Sequence, residues 1–253
     1  MINLLDSQIL AWISAWFLPF VRILGLISTA PILSSRSIAN RTKLALAALL
    51  AIMVAPFLPP LDGLNIASPS AWAIMLREMV IGMAIGFLAR LVLLIFEIAG
   101  ELIGLQIGLS YAGYFSPGAG HGNAIGSFAG IIASWMFVIL NGPLLLLACV
   151  IHSYEKLPVV SGQLTSIRLD PNRIFAMMSD IFAMSLVLAL PVVTLILLIN
   201  FAMGVATKVA PQLNLFAVGF PILILCGLGM LSMIMPAFEP TLVKGLEAVF
   251  SMW

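Results

Sequence analysis

The sequence predicts an all-α membrane protein whose helices are kinked or re-entrant and sheltered by other protein; three observations carry that reading. Of its 253 residues, 62% are hydrophobic and 8% charged, and the mean hydropathy is +1.19. A soluble domain carries about 25% charged residues. The apolar residues gather in runs whose lengths do not match a simple bilayer crossing. Between the last two runs sits a polar, helix-breaking corner, Pro211-Gln212-Leu213-Asn214, closed by Gly219-Phe220-Pro221. Pro211 lacks a backbone donor and Asn214 competes for backbone hydrogen bonds, so the chain turns there. In lipid, freed backbone groups survive only where water or protein satisfies them, so the corner reads as a hairpin tip docked inside an assembly.

The apolar runs cover 9–33, 44–60, 73–109, 124–151, 181–203 and 215–236. A simple span needs about 20 apolar residues. The first run follows Asp6 without an early Lys or Arg, lacks the basic region of a cleavable signal, and is expected to be retained. A basic connection with Arg36, Arg41 and Lys43 leads to the second run, which is short and ends in Pro56, Pro59 and Pro60. The third run is far too long for one straight crossing. Pro19, Pro143, Pro191, Pro221 and Pro236 inside apolar runs also point to kinks and re-entrant helices. The positive-inside rule places the first connection and the Lys208 connection in the cytoplasm, and both termini on the far side. One membrane domain, 1–253, is implied.

The third run carries charges that lipid would not accept: Arg77, Glu78, Arg90, Glu97 and Glu101. At about 100° per residue, Gly86, Arg90, Glu97, Glu101, Gly104 and Gly108 share one stripe within roughly 40° of Arg90. Each charge on a lipid-facing helix costs about 2.5 kcal/mol or more. The stripe therefore faces protein or an aqueous path, or else Arg90 pairs internally with Glu97. Small residues at spacing four (Gly82/Gly86, Gly100/Gly104/Gly108, Gly126/Gly130) let helix backbones approach closely. Arg22 and Asn200, deep in apolar runs, read as pairing or capping groups within the fold. The Met residues, fourteen in all, read as flexible apolar filler.

Several function classes are set aside. A net charge of +1 without clustered cations argues against nucleic acid as a partner. Cys149 and Cys226 lie in apolar runs as small hydrophobes, and neither a disulfide framework nor a metal site is indicated. The loop 110–122 is rich in glycine and aromatic rings but lacks the preceding strand and the Lys of a phosphate loop, so no nucleotide cofactor is expected. It reads as a mobile, partly apolar plug or lid, or as an ordinary surface loop. Ser110 with His121 or His152 invites a Ser–His reading, but no further constellation supports catalysis, and no enzyme is expected. An ion-coupled secondary transporter is the stronger rival, since broken apolar segments and buried carboxylates mark such proteins.

In order and spacing, a series of short segments resembles the FliR family of flagellar export-gate proteins, whose injectisome relatives are SpaR, YscT and SctT. The series runs from Arg22, Ser28-Thr29-Ala30-Pro31-Ile32-Leu33 and Arg36 through Arg77-Glu78 and Ala99-Gly100-Glu101. It continues with Gly104-Leu105-Gln106-Ile107-Gly108-Leu109-Ser110, Asn141-Gly142 and the stretch 153–158. It closes with Ala189-Leu190-Pro191, Gly204 and Ala210-Pro211-Gln212-Leu213-Asn214. The chain departs from the family at Ser116-Pro117, where Asp-Pro is frequent, and at Gly142-Pro143, where Gly-His is frequent.

The resemblance implies a non-enzymatic subunit of the flagellar type III protein export gate, or of its injectisome counterpart, in the bacterial inner membrane. One copy would join five FliP and four FliQ chains in a helical, right-handed assembly within the basal body, partly displaced toward the periplasm. FlhB, FlhA and unfolded flagellar substrates are the further partners implied. Residues 1–180 would form a FliP-like portion and 181–253 a FliQ-like C-terminal hairpin. The resemblance places the pore plug at about 108–123, which leaves Gln106, Tyr111, Tyr114, Phe115, Pro117 and Gly118 for closure. Arg22, Arg77, Glu78, Arg90, Glu97 and Glu101 would fix neighbouring helices or subunits. Lys208, Pro211, Gln212 and Asn214 would form the hairpin tip.

Overall fold

A computed structural model describes residues 2–57, 69–109, 123–157, 171–209 and 215–252, and among them the chain is helical with no strand. The helices are α1 (Ile2–Thr29), α2 (Asn40–Val54), α3 (Pro69–Ile107), α4 (Ala124–Ile139), α5 (Gly142–Lys156), α6 (Pro171–Val209), α7 (Leu215–Ile234) and α8 (Phe238–Met252). Short 3-10 turns at Ala55–Phe57 and Met235–Ala237 follow α2 and α7. The all-α membrane architecture is thus present. Three helical stretches, Ala71–Ile107, Phe175–Val209 and Gly219–Ser251, are long and apolar enough to cross a membrane.

The breaks fall where backbone chemistry forces them. α3 ends in a Schellman motif: Gly108 has φ 90°, its N–H donates to the Leu105 carbonyl, and the Leu109 N–H donates to the Gly104 carbonyl. α4 and α5 are divided by Asn141, which adopts the left-handed region at φ 56°; Pro143 stands in the first turn of α5. The Asn141 carbonyl accepts from the N–H groups of Leu144 and Leu145, which restarts the helix. Pro236 lies in the 3-10 turn between α7 and α8. After α1, Pro31 ends the helix and Ile32 turns the chain at φ 66°, a conformation that β-branched residues rarely hold.

The third apolar run is one unbroken helix, α3, of 39 residues, well beyond the about 20 that a simple span needs. It contains no proline after its first residue, and its glycines serve close packing. Pro19, Pro191 and Pro221 also sit inside continuous helices.

The chain divides into two compact units. The first comprises Met1–Arg90, Asn141–Pro171 and Leu246–Trp253; its core includes Ile23 and Ile27 of α1, Ile81 and Ile85 of α3, and Val150 of α5. The α2 helix joins this unit by a stripe of small side chains, Ala47, Ala51 and Val54, while Leu49, Ile52 and Met53 point outward. The second unit comprises Leu91–Leu140 and Asn172–Gly245. Its core includes Ile95, Phe96 and Ile103 of α3, Phe137 of α4, Ile196 of α6 and Phe238 of α8, with the rings of Phe96 and Phe238 4.9 Å apart.

Candidate functional site

Each unit contains one polar node built around glycines. In the first, α1 and α3 meet backbone to backbone. A Cβ on Gly82 would overlap the Arg22 carbonyl oxygen, and one on Gly86 would lie 2.7 Å from the Leu26 carbonyl oxygen. The Thr29 hydroxyl crosses the same contact and donates to the Met83 carbonyl at 3.0 Å. This approach lets Arg22 turn inward one helical turn from Glu78. Arg22 Nε donates to Glu78 Oε2 at 2.6 Å, and both side chains are fully buried.

The rest of the guanidinium is satisfied by α5. One terminal nitrogen donates to Ser153 Oγ at 2.7 Å and the other to the Leu157 carbonyl at 3.3 Å. The Ser153 hydroxyl in turn donates to the Val150 carbonyl. The Tyr154 ring lies under the cation, 3.5 Å from centroid to Cζ. A buried ion pair gains only when its remaining donors are met, and here each nitrogen of the Arg22 guanidinium has an acceptor. Three helices distant in sequence are thereby fixed to one point. Arg77, beside Glu78, is buried as well.

In the second unit, α3 and α4 cross through facing glycines. A Cβ on Gly100 would stand 2.7 Å from the Gly126 Cα, so the two backbones touch. Beside that contact the carboxyl arms of α3 lie over α4 glycines: a Cβ on Gly126 would sit 2.8 Å from Glu101 Oε1, and one on Gly130 2.7 Å from Glu97 Cγ. Asn123 caps α4, its Oδ1 accepting from the Ile125 N–H at 3.0 Å. Its own backbone N–H donates to Glu101 Oε1 at 3.0 Å, and its amide nitrogen donates to the Glu101 carbonyl at 3.3 Å. The amide fills the space that a side chain on Gly104 would need. Glu101 thus rests on the positive end of a helix, which offsets its repulsion from Glu97.

The other sequence-predicted residues are dispersed. Arg90 and Glu97 are exposed and not joined in an ion pair, and Gln106 is half-exposed in the last turn of α3. Lys208 is exposed in the last turn of α6. Tyr111, Tyr114, Phe115, Pro117 and Gly118 lie outside the described residues, as do Pro211, Gln212 and Asn214, and Ser110 and His121. His152 is half-exposed, contacts Glu155 at 3.3 Å and meets the Phe250 ring edge-on. Among the described residues, no group of His, Cys, Asp and Glu is arranged to hold a metal ion. Sequence reasoning missed Ser153, Tyr154 and Asn123 as node residues. Asn123 carried a signal, an Asn directly before an apolar helical run; Ser153 and Tyr154 were marked only as part of the stretch 153–158 that resembles the family.

Comparison with known proteins places this geometry. The model of the family described as bacterial export proteins, family 1, matches residues 13–249. The flagellar biosynthetic protein FliR of Pectobacterium carotovorum subsp. carotovorum is 38% identical over 233 residues, 90% of this chain and 87% of that protein. The chain belongs to the FliR family of bacterial export proteins. FliR of Escherichia coli (strain K12) is 36% identical over 95% of this chain and 91% of its own length. FliR of Bacillus subtilis (strain 168) is 26% identical over 85% and 84%. Both nodes lie within the span that the FliR-family model matches, so they are features of a protein-export component and not of an appended segment.

Proposed function

We propose that the chain is the FliR-type subunit of a flagellar export gate, which forms part of a channel for unfolded flagellar substrates and helps to hold it shut. One observation carries the reading: the exposed surface of α3 mixes charge and apolar bulk on one stripe. Phe87, Arg90, Leu94 and Glu97 recur at helical spacing and all are exposed. Lipid rejects the charges and water rejects the rings, so neighbouring protein is the surrounding that suits both. The relatives reported above are all flagellar biosynthetic proteins, which favours the flagellar over the injectisome setting.

In this reading one copy joins five FliP and four FliQ chains in the inner membrane, with FlhB, FlhA and the export substrates as further partners. The assembly stands partly toward the periplasm, and α4 and α5, at 16 and 15 residues each too short to span alone and bent by 65° at their break, suit that position. Residues 1–180 supply a FliP-like portion and 181–253 a FliQ-like hairpin with Lys208 near its tip. The loop 110–122 acts as the plug, with Gln106 at its root; α3 ends directly before it and α4 begins directly after it.

Loss of the chain in its native host is expected to abolish secretion of flagellar subunits and filament growth. Deleting residues 113–122 is expected to leave the complex assembled but leaky to small ions. Normal filament growth without the chain would overturn the gate reading, and an unchanged leak after the deletion would overturn the plug.

A further inference from the structure

The outer face of α2 is apolar along its length and basic at one end only. From Leu44 to Val54 the helix carries no polar side chain. Ala47 and Ala51 face inward, while the bulkier Leu44, Leu49, Ile52 and Met53 stand exposed. At 1.5 Å per residue these four cover about 14 Å, close to one leaflet of a hydrocarbon core about 30 Å thick. Just before them Arg36 and Arg41 are exposed and Lys43 is half-exposed. Arg41 stands in line with Ile52, about 20° away at 100° per residue. The turn that bears Arg36 is held in place: the Lys43 ammonium donates to the Ser34 carbonyl at 3.0 Å, and the Ile38 N–H to the Ser35 carbonyl at 3.3 Å. Residues 7–61 include no Asp or Glu, and among the described residues neither Arg36 nor Arg41 is joined in an ion pair.

We propose that this face binds an anionic phospholipid, its phosphate held by Arg36 and Arg41 and an acyl chain laid along Leu44, Leu49 and Ile52. The match is one of charge and of length. An acyl chain accepts bulky apolar side chains but no ions, and the face has no ion beyond Lys43. The α3 surface is different, since Arg90 and Glu97 interrupt its apolar bulk. A guanidinium can meet two phosphate oxygens at once, and each Lys or Arg at an anionic surface strengthens binding about fivefold. An apolar helix of a sister subunit would suit Leu49 and Ile52 but leave both arginines without an anion. The proposal concerns what α2 faces and stands apart from how a channel opens or closes.

The test uses the complex purified from its native membrane and stripped of lipid in neutral detergent. Native mass spectrometry then follows the dioleoylphosphatidylglycerol or dioleoylphosphatidylcholine that it takes back. Arg36→Gln with Arg41→Gln is expected to weaken retention of one phosphatidylglycerol for each copy of the chain by about 25-fold, fivefold per charge, and to leave phosphatidylcholine as it was. Leu49→Ala with Ile52→Ala is expected to weaken both lipids alike. Inorganic phosphate is expected not to displace the phosphatidylglycerol. A photo-reactive residue in place of Leu49, with the complex still in its membrane, is expected to crosslink to lipid. Unchanged phosphatidylglycerol retention in the double arginine variant would overturn the proposal. So would full displacement by phosphate, which would leave a simple anion site, or a crosslink to a sister subunit, which would assign the face to protein. Should the arginine variant fail to assemble, the crosslink decides, because it leaves every charge in place.

Discussion

Arg22 and Glu78 show how a membrane protein accommodates full charges in its interior. The pair is closed by Ser153, the Leu157 carbonyl and the Tyr154 ring, so every guanidinium nitrogen has an acceptor and one face of the cation lies on a π-system. Removing one partner of such a pair costs about 3–5 kcal/mol, whereas replacing both with apolar residues of similar volume is often neutral. Glu78→Gln is therefore expected to lower the stability of the purified complex by about that amount in thermal unfolding, and Arg22→Met with Glu78→Leu is expected to recover most of it. Equal losses in the single and double variants would show that the node serves something other than charge compensation. The two residues were legible as anomalies, since charges in apolar runs demand a partner. Which partner was not legible, because 56 positions separate them and only the close approach at Gly82 brings them together.

The helices themselves were legible from length and apolar content, and several of their ends from single residues. Asn141-Gly142-Pro143 and Gly108 mark breaks by conformations that few other residues adopt easily. The continuity of α3 was not legible. Its length suggested a break, whereas its glycines were read as close-packing residues, and Gly82, Gly86 and Gly100 do meet neighbouring helices while Gly104 meets the Asn123 amide. Two glycine variants separate the roles. Gly100→Ala would set a Cβ 2.7 Å from the Gly126 Cα, backbone that cannot yield, and is expected to cost about 1–3 kcal/mol in overpacking. Gly204→Ala on α6 meets nothing within 4 Å and is expected to be neutral or to stabilise the chain by up to about 1 kcal/mol through helix propensity. Thermal unfolding of the two variants side by side checks the contrast, and a neutral Gly100→Ala would refute the close α3–α4 crossing.

At the scale of the whole molecule, the surface is as apolar as a core. Trp72, Phe201 and Met233 are each more than 70% exposed, and Leu198 and Val187 more than 60%. The same helices carry exposed Arg90, Glu97 and Lys208. A surface of this kind has neither water nor lipid as its natural solvent along its full length. The charges of the third apolar run and the Pro211 corner already pointed to shelter by other proteins, but which faces need it became visible only once burial sorted α6 into inner and outer sides. In the proposed function, sister subunits supply this cover. Native mass spectrometry of the chain, expressed alone and together with FliP and FliQ, puts this to the test. One copy of the chain in a defined complex with the other two is expected, and an aggregated chain when it is alone. A solitary, monodisperse, folded chain that ignores FliP and FliQ would contradict it.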